Sequence, residues 1–290
     1  MELKILVTGA NGQLGSEIRR IANDTNAYNF TFVDIEEMDL ADEGSVNRFF
    51  EGKHFDFIIN CAAYTAVDRA EEESALAYRV NSDAVKLVAT ICLEKKIRLI
   101  HISTDYVFDG YGNTPIPDTA APHPLSVYGE SKLAGEQHVL NILKDAYIIR
   151  TAWVYSYFGK NFVKTIARLA KERDTLGVVY DQVGSPTHAK DLADAIIRII
   201  HSIESDKVDA PGIYHYANEG VTSWYDLACF IIQHYGFPCQ VNPISTEEYK
   251  TLAIRPRYTV LDKRKIKVTF GIEIPHWHES LLSCLNELRM

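Results

Sequence analysis

The segment Gly9-Ala10-Asn11-Gly12-Gln13-Leu14-Gly15 follows the apolar run Lys4-Thr8 directly and opens a helical pattern. Strand, glycine turn and helix in that order restrict the fold more than any other feature of these 290 residues. Glycines at this spacing permit a tight turn, let backbone approach a pyrophosphate and set its charge on the positive end of the helix. A glycine trio by itself also describes an ordinary strand-to-helix turn. The next strand pattern, Phe30-Asp34, ends in a carboxylate about 20 residues further on, where it can accept hydrogen bonds from adenosine ribose hydroxyls. Ile35, Glu36 and Glu37 offer no cation for a 2′-phosphate, so the local chemistry favours NADH and leaves NADPH as the secondary cofactor. Asp39 and Leu40 are expected to flank the adenine. Cys61, Ala62 and Ala63, followed by Tyr64 and Thr65, are expected to line the cofactor's path, although small residues at a strand end also serve plain packing.

The first half continues the alternation. Strand patterns at Lys4-Thr8, Phe30-Asp34, Phe57-Cys61, Leu99-Ser103 and Tyr147-Arg150 are separated by helical stretches at Leu14-Ala22, Glu43-Phe50, Ser74-Lys95 and Val127-Leu143. This predicts an α/β fold with a Rossmann-type, doubly wound parallel sheet over residues 1–150. Beyond Arg150, helices near Phe162-Lys171, Lys190-Ile203 and Ser223-Tyr235 alternate with short strands such as Gly177-Tyr180 and Gly212-Tyr216. Residues 151–290 are therefore expected to form mainly a smaller α/β substrate-binding lobe, with some segments returning to the first domain. Without a flexible linker, the two lobes should share an interface and a cleft. The Gly- and Pro-rich stretch Asp109-Leu125 is the expected mobile loop beside it.

Composition narrows the classes further. With 47% hydrophobic and 24% charged residues the chain reads as globular. No apolar run reaches the roughly 18 residues of a membrane span, and Met1-Glu2-Leu3-Lys4 passes into a strand rather than a signal peptide, so no membrane partner and a cytoplasmic location are expected. A net charge of −9 without a basic run argues against a nucleic-acid partner. The 5 cysteines form no CxxC pair and read as reduced packing residues.

Tyr128 and Lys132 stand on one face of the helix that begins there. A cation beside a phenol lowers its pKa and eases proton transfer. Such a pair is common on exposed helix faces. Its meaning changes with Ser103-Thr104-Asp105-Tyr106, which ends an apolar strand at the carboxyl edge where open α/β sheets bind ligands. A strand-end hydroxyl, a tyrosine and a lysine downstream of a nucleotide fingerprint form the short-chain dehydrogenase constellation.

Longer strings carry a closer resemblance: STDYVFDG from Ser103, YGESKLAGE from Tyr128, RTAWVY from Arg150, DQVGSPT from Asp181 and RPRYTVLD from Arg255. Through them the chain resembles the dTDP-4-dehydrorhamnose reductase family of extended short-chain dehydrogenases. The resemblance implies reduction of the C4 ketone of dTDP-4-dehydro-6-deoxy-L-mannose to dTDP-L-rhamnose, for surface polysaccharides, with Tyr128 as proton donor. It also implies that Lys132 lowers the tyrosine pKa and holds the nicotinamide ribose, while Thr104 polarises the carbonyl. Asp105 and Trp153 would meet the sugar and Arg257 the nucleotide diphosphate. Family carboxylates that hold Mg²⁺ at a dimer interface match Glu17 and Glu287. The third position is Lys190, whose ammonium argues against the metal and for a salt bridge with both glutamates, leaving a homodimer open without it. His276, Trp277 and His278 read as packing or surface residues. The alternatives are a reductase or epimerase of another nucleotide sugar, and a non-catalytic nucleotide-binding subunit similar to that of methionine adenosyltransferase.

Overall fold

The computed structural model describes residues 2–24 and 28–288. Strands β1 (Lys4–Thr8), β2 (Asn29–Val33), β3 (Phe57–Asn60), β4 (Arg98–Thr104), β5 (Tyr147–Thr151) and β6 (Gly212–Tyr216) form a six-stranded sheet. They pair in parallel in the order β6-β5-β4-β3-β1-β2. Every residue of β3 and of β5 is buried, as a strand covered on both faces requires. The two-residue period of the strands sorts their side chains. Ile5, Val7, Phe57, Ile59, Ile100, Tyr147 and Ile149 enter one apolar cluster, while Leu6, Ile58, Leu99 and Ile148 enter the other.

Helices cover both faces. On the first pack α1 (Gln13–Asp24), α6 (Ala189–Glu204) and α8 (Arg264–Phe270), through residues such as Ile18, Ile196 and Phe270. On the second pack α2 (Glu43–Phe50), α3 (Ala84–Lys95) and α4 (Val127–Ile142), through Val46, Val88 and Val139. Both α6 and β6 lie beyond Arg150 in sequence yet belong to these layers. A further core joins α5 (Phe162–Glu172), α7 (Trp224–Tyr235) and α9 (Trp277–Leu288). Beside it, strand Thr175–Val179 pairs in parallel with Gln240–Ile244. Because β1 has β2 on one side and β3 on the other, chain direction diverges there and a crevice opens at the carboxyl ends of these strands.

Two segments depart from expectation. Ser74-Lys95 is not one helix but Ser74–Tyr78, a π-helical turn Arg79–Asp83 and α3. The turn brings Asn81 against α4 so closely that a Cβ on Gly135 would lie 2.2 Å from the Asn81 carbonyl oxygen. From there the Asn81 amide donates to Tyr64 O and Ser131 Oγ, each at 3.0 Å, and accepts from Tyr64 N at 2.8 Å. Asp109-Leu125 is anchored, and none of its residues lines the main cleft. Ile116 N donates to Val260 O and Asp262 N to Ile116 O, both at 2.8 Å, and Asp118 pairs with Lys265 at 2.8 Å. Among the described residues no helix is long and apolar enough to cross a membrane.

Candidate active site

The turn after β1 is shaped by close backbone approaches. Gly9 has φ +63°, and a Cβ there would lie 2.7 Å from Ala62 Cα; one on Gly15 would lie 2.5 Å from Gly9 O. No larger side chain fits at either position, so the first turn of α1 stays open to an anion. Asp34 stands just past the end of β2. Its Oδ2 accepts from Asn11 N at 2.8 Å and its Oδ1 from Ile35 N at 2.9 Å, which fixes the carboxylate while leaving acceptor capacity on both oxygens. Asn11 Oδ1 in turn faces Arg19 Nη1 at 3.4 Å. Arg19 is therefore a guanidinium beside Asn11 that inspection of the residues following the strand could not find, because it comes from the second turn of α1. This cradle has the chemistry that a dinucleotide needs: open glycine backbone, a helix N-terminus and a fixed ribose-accepting carboxylate.

Gly9, Gly12, Gln13, Leu14, Asp34, Asp39, Leu40, Cys61, Ala62, Ala63 and Thr65 line a cleft of about 780 Å³, and Thr104, Asp105, Tyr128, Lys132 and Trp153 line the same cleft. Asn11, Gly15 and Tyr64 support its walls instead. Burial pushes the Cys61 thiol up to about 12, as suits a packing residue.

Ser126 caps α4 by accepting from Gly129 N at 3.2 Å, which sets Tyr128 in the first turn at the end of β4. Burial pushes the Tyr128 phenol up to about 12 against a hydrogen bond with Thr104. The direction differs from the expected lowering, because both phenol and ammonium have lost water here. Burial likewise brings Lys132 down to about 8 despite the pull of Glu136. The Lys132 ammonium donates to Ile102 O at 2.7 Å. Behind it Glu136 and Arg150 form a fully buried pair, with Arg150 Nε to Glu136 Oε1 at 2.9 Å and Nη2 to Oε2 at 2.6 Å. Ser103, next to Thr104, donates to the same Glu136 carboxylate.

Asp105 opens a single 3-10 turn after β4. Thr104 Oγ1 donates to its Oδ1 at 3.1 Å. Thr259 lies near enough to lower its carboxyl somewhat, yet burial prevails and raises it to about 6. Asp105 Oδ2 and Thr259 Oγ1 make no well-formed hydrogen bond among the described residues, so each can still receive a polar ligand group.

Trp153 has a left-handed φ of 49° and stacks on Trp224 with ring centroids 3.6 Å apart. A Cβ on Gly184 would lie 2.7 Å from Trp153 Cε2, so the indole is wedged between neighbours where it lines the cleft. Trp224 lines the cleft too. Its position at the start of α7 carries no motif, and only packing reveals it.

Arg257 does not line the cleft; it is exposed and pairs with Glu247. Its neighbour Arg255 reaches across to Asp68, at 3.0 Å through Nη1 and 2.7 Å through Nη2. The two glutamates matched to a metal site are bridged by Arg20, at 2.8 Å to Glu17 and 2.6 Å to Glu287. Lys190 instead pairs with Asp194 at 2.7 Å, one helical turn away. The expected Lys190 salt bridge is thus formed by Arg20, whose guanidinium holds both carboxylates.

A family model described as "RmlD substrate binding domain" matches residues 3–290. A dTDP-4-dehydrorhamnose reductase of Aggregatibacter actinomycetemcomitans is 40% identical over 285 residues, covering 96% of this chain and 97% of that protein. Among solved structures, a dTDP-4-dehydrorhamnose reductase from Clostridium acetobutylicum superposes with a TM-score of 0.93 at 40% identity, covering 99% of this chain and 100% of that one. Another, from Bacillus anthracis in complex with NADP, has a TM-score of 0.93 at 36% identity with the same coverage.

Proposed function

This chain belongs to the RmlD substrate binding domain family, and on that footing we infer that it reduces the C4 ketone of dTDP-4-dehydro-6-deoxy-L-mannose to dTDP-L-rhamnose with a nicotinamide cofactor. The observation that carries the reading is convergence: the glycine turn, Asp34 and the trio Thr104, Tyr128 and Lys132 face one cleft. The nicotinamide, when bound, supplies hydride to C4. Tyr128 Oη, protonated at neutral pH because burial holds its pKa near 12, gives its proton to the developing alkoxide. Thr104 Oγ1 turns its proton from Asp105 Oδ1 to the ketone oxygen, Lys132 holds the nicotinamide ribose, and Asp105 takes a sugar hydroxyl. Trp153 bounds the sugar with its indole. The cofactor thus lies along the sheet, and the nucleotide sugar lies against the part built mainly from residues 151–290.

Asp34 supports a preference for NADH, since a fixed carboxylate accepts ribose hydroxyls and repels a 2′-phosphate. Arg19 beside Asn11 leaves NADPH usable.

The test is NADH oxidation with a panel of nucleotide 4-keto sugars, NADPH in parallel. Expected are conversion of dTDP-4-dehydrorhamnose to dTDP-rhamnose, higher kcat/KM with NADH, and a loss of about 10² to 10⁴ in kcat for Tyr128→Phe. Turnover confined to another nucleotide sugar overturns the substrate. An unchanged Tyr128→Phe rate overturns the proton donor.

A further inference from the structure

Five charged side chains line the cleft: Asp34, Asp39, Asp105, Lys132 and Lys160. Three are carboxylates, yet a bound dinucleotide brings a further pyrophosphate anion. Lys132 is committed elsewhere, being 2% exposed with its ammonium on Ile102 O. Lys160 is the remaining cation of the lining; it is exposed and makes no hydrogen bond or ion pair among the described residues.

The segment that carries Lys160 is docked on the start of α1. Asn161 Nδ2 donates to Gln13 Oε1 at 2.9 Å and to Ser156 O at 2.8 Å. Gln13 Nε2 reaches Val154 O at 3.4 Å, and Ser156 Oγ donates to Glu17 Oε1 at 2.6 Å. Gly159, with φ +65°, sits so near that a Cβ there would lie 3.1 Å from Gln13 Cγ. Asn161 also caps α5 through Lys164 N at 3.0 Å. The segment is thereby held over the first turn of α1, while Lys160, unengaged, lines the same cleft as Gln13 and Leu14.

We propose that Lys160 reaches across the cleft to the cofactor's diphosphate, completing from the second half of the chain an anion site whose floor is the glycine turn. A helix N-terminus carries only about half a positive charge, so an ammonium above it adds the larger share of the countercharge. The inference rests on the nicotinamide reading of the cleft. The nucleotide sugar carries a diphosphate as well, and the contacts to Gln13 favour the cofactor's.

Binding constants separate these cases, measured by titration calorimetry for NADH, ADP-ribose, AMP and dTDP. Lys160→Gln should weaken NADH and ADP-ribose about tenfold, as loss of a charge-assisted hydrogen bond does. AMP, which lacks the diphosphate, and dTDP should stay within about twofold, and Lys160→Arg should restore NADH binding. The proposal is overturned if Lys160→Gln binds NADH within twofold of wild type, if AMP weakens as much as ADP-ribose, or if the loss falls on dTDP. Wild-type protein that binds no NADH would refute the nicotinamide reading instead.

Discussion

At the scale of single residues the cleft departs from what the rest of the core does. Asp105 is 2% exposed, and its carboxyl is raised from 3.8 to about 6 by burial. The folded chain therefore holds a proton that the unfolded chain has already released over that range. Stability falls as pH rises from about 4 to about 6, and the loss persists at neutral pH. Asp105→Asn has the same shape without the charge. It should stabilise the fold at pH 7.5 by on the order of 3 kcal/mol, seen as a raised Tm, and flatten the acid part of the Tm–pH curve, while sugar binding weakens. A Tm at or below wild type at pH 7.5 would contradict this account. Thr104, Asp105, Tyr128 and Lys132 were legible in the sequence because motif order places them at a strand's carboxyl end. Their pKa directions were not, since desolvation depends on what the rest of the chain lays over them.

At the scale of elements, β4, α4 and β5 form a unit through Ser103, Glu136 and Arg150. Glu136 lies one turn beyond Lys132 and raises its pKa, opposing burial. Reduction should lose rate as pH climbs past about 8 and Lys132 discharges. Glu136→Gln removes the opposing carboxylate and should move that alkaline limb to lower pH, a displacement that a purely structural role would not produce. The same variant leaves Arg150 buried and unpaired, at about 3–5 kcal/mol. The pH profile is therefore read at a temperature where the variant stays folded, and an unmoved limb counts against electrostatic support of Lys132. The break in Ser74-Lys95 belongs to this scale as well. Apolar periodicity sees a continuous helix, but the approach of Gly135 to Asn81 decides where the π turn falls.

At the scale of the molecule, Arg20 ties α1 to α9 by bridging Glu17 and Glu287. Glu17 is fully buried, and burial raises its carboxyl. Arg20→Ala should lower stability by about 1–3 kcal/mol by leaving that carboxylate without its cation, whereas EDTA should leave Tm unchanged. A Tm drop with EDTA, restored by Mg²⁺, would show that a metal and not the guanidinium holds these ends together. Arg255 and Asp68 make a similar tie between the C-terminal part and the short helix Val67–Glu72.

The sequence alone determined the parallel sheet, the glycine turn and the grouping of Thr104, Tyr128 and Lys132. Each depends on short-range order: a period-two apolar run, a glycine where no Cβ fits, a strand end followed by a helix start. Only the tertiary structure decided which cations reach the cleft. Arg257, prominent in a motif, faces Glu247 outside it, while Lys160 lines it and Arg19 stands beside Asn11, neither marked by any motif. The physical reason is reach. A long charged side chain is placed by the elements that carry it together from distant parts of the chain, and no local pattern records that meeting.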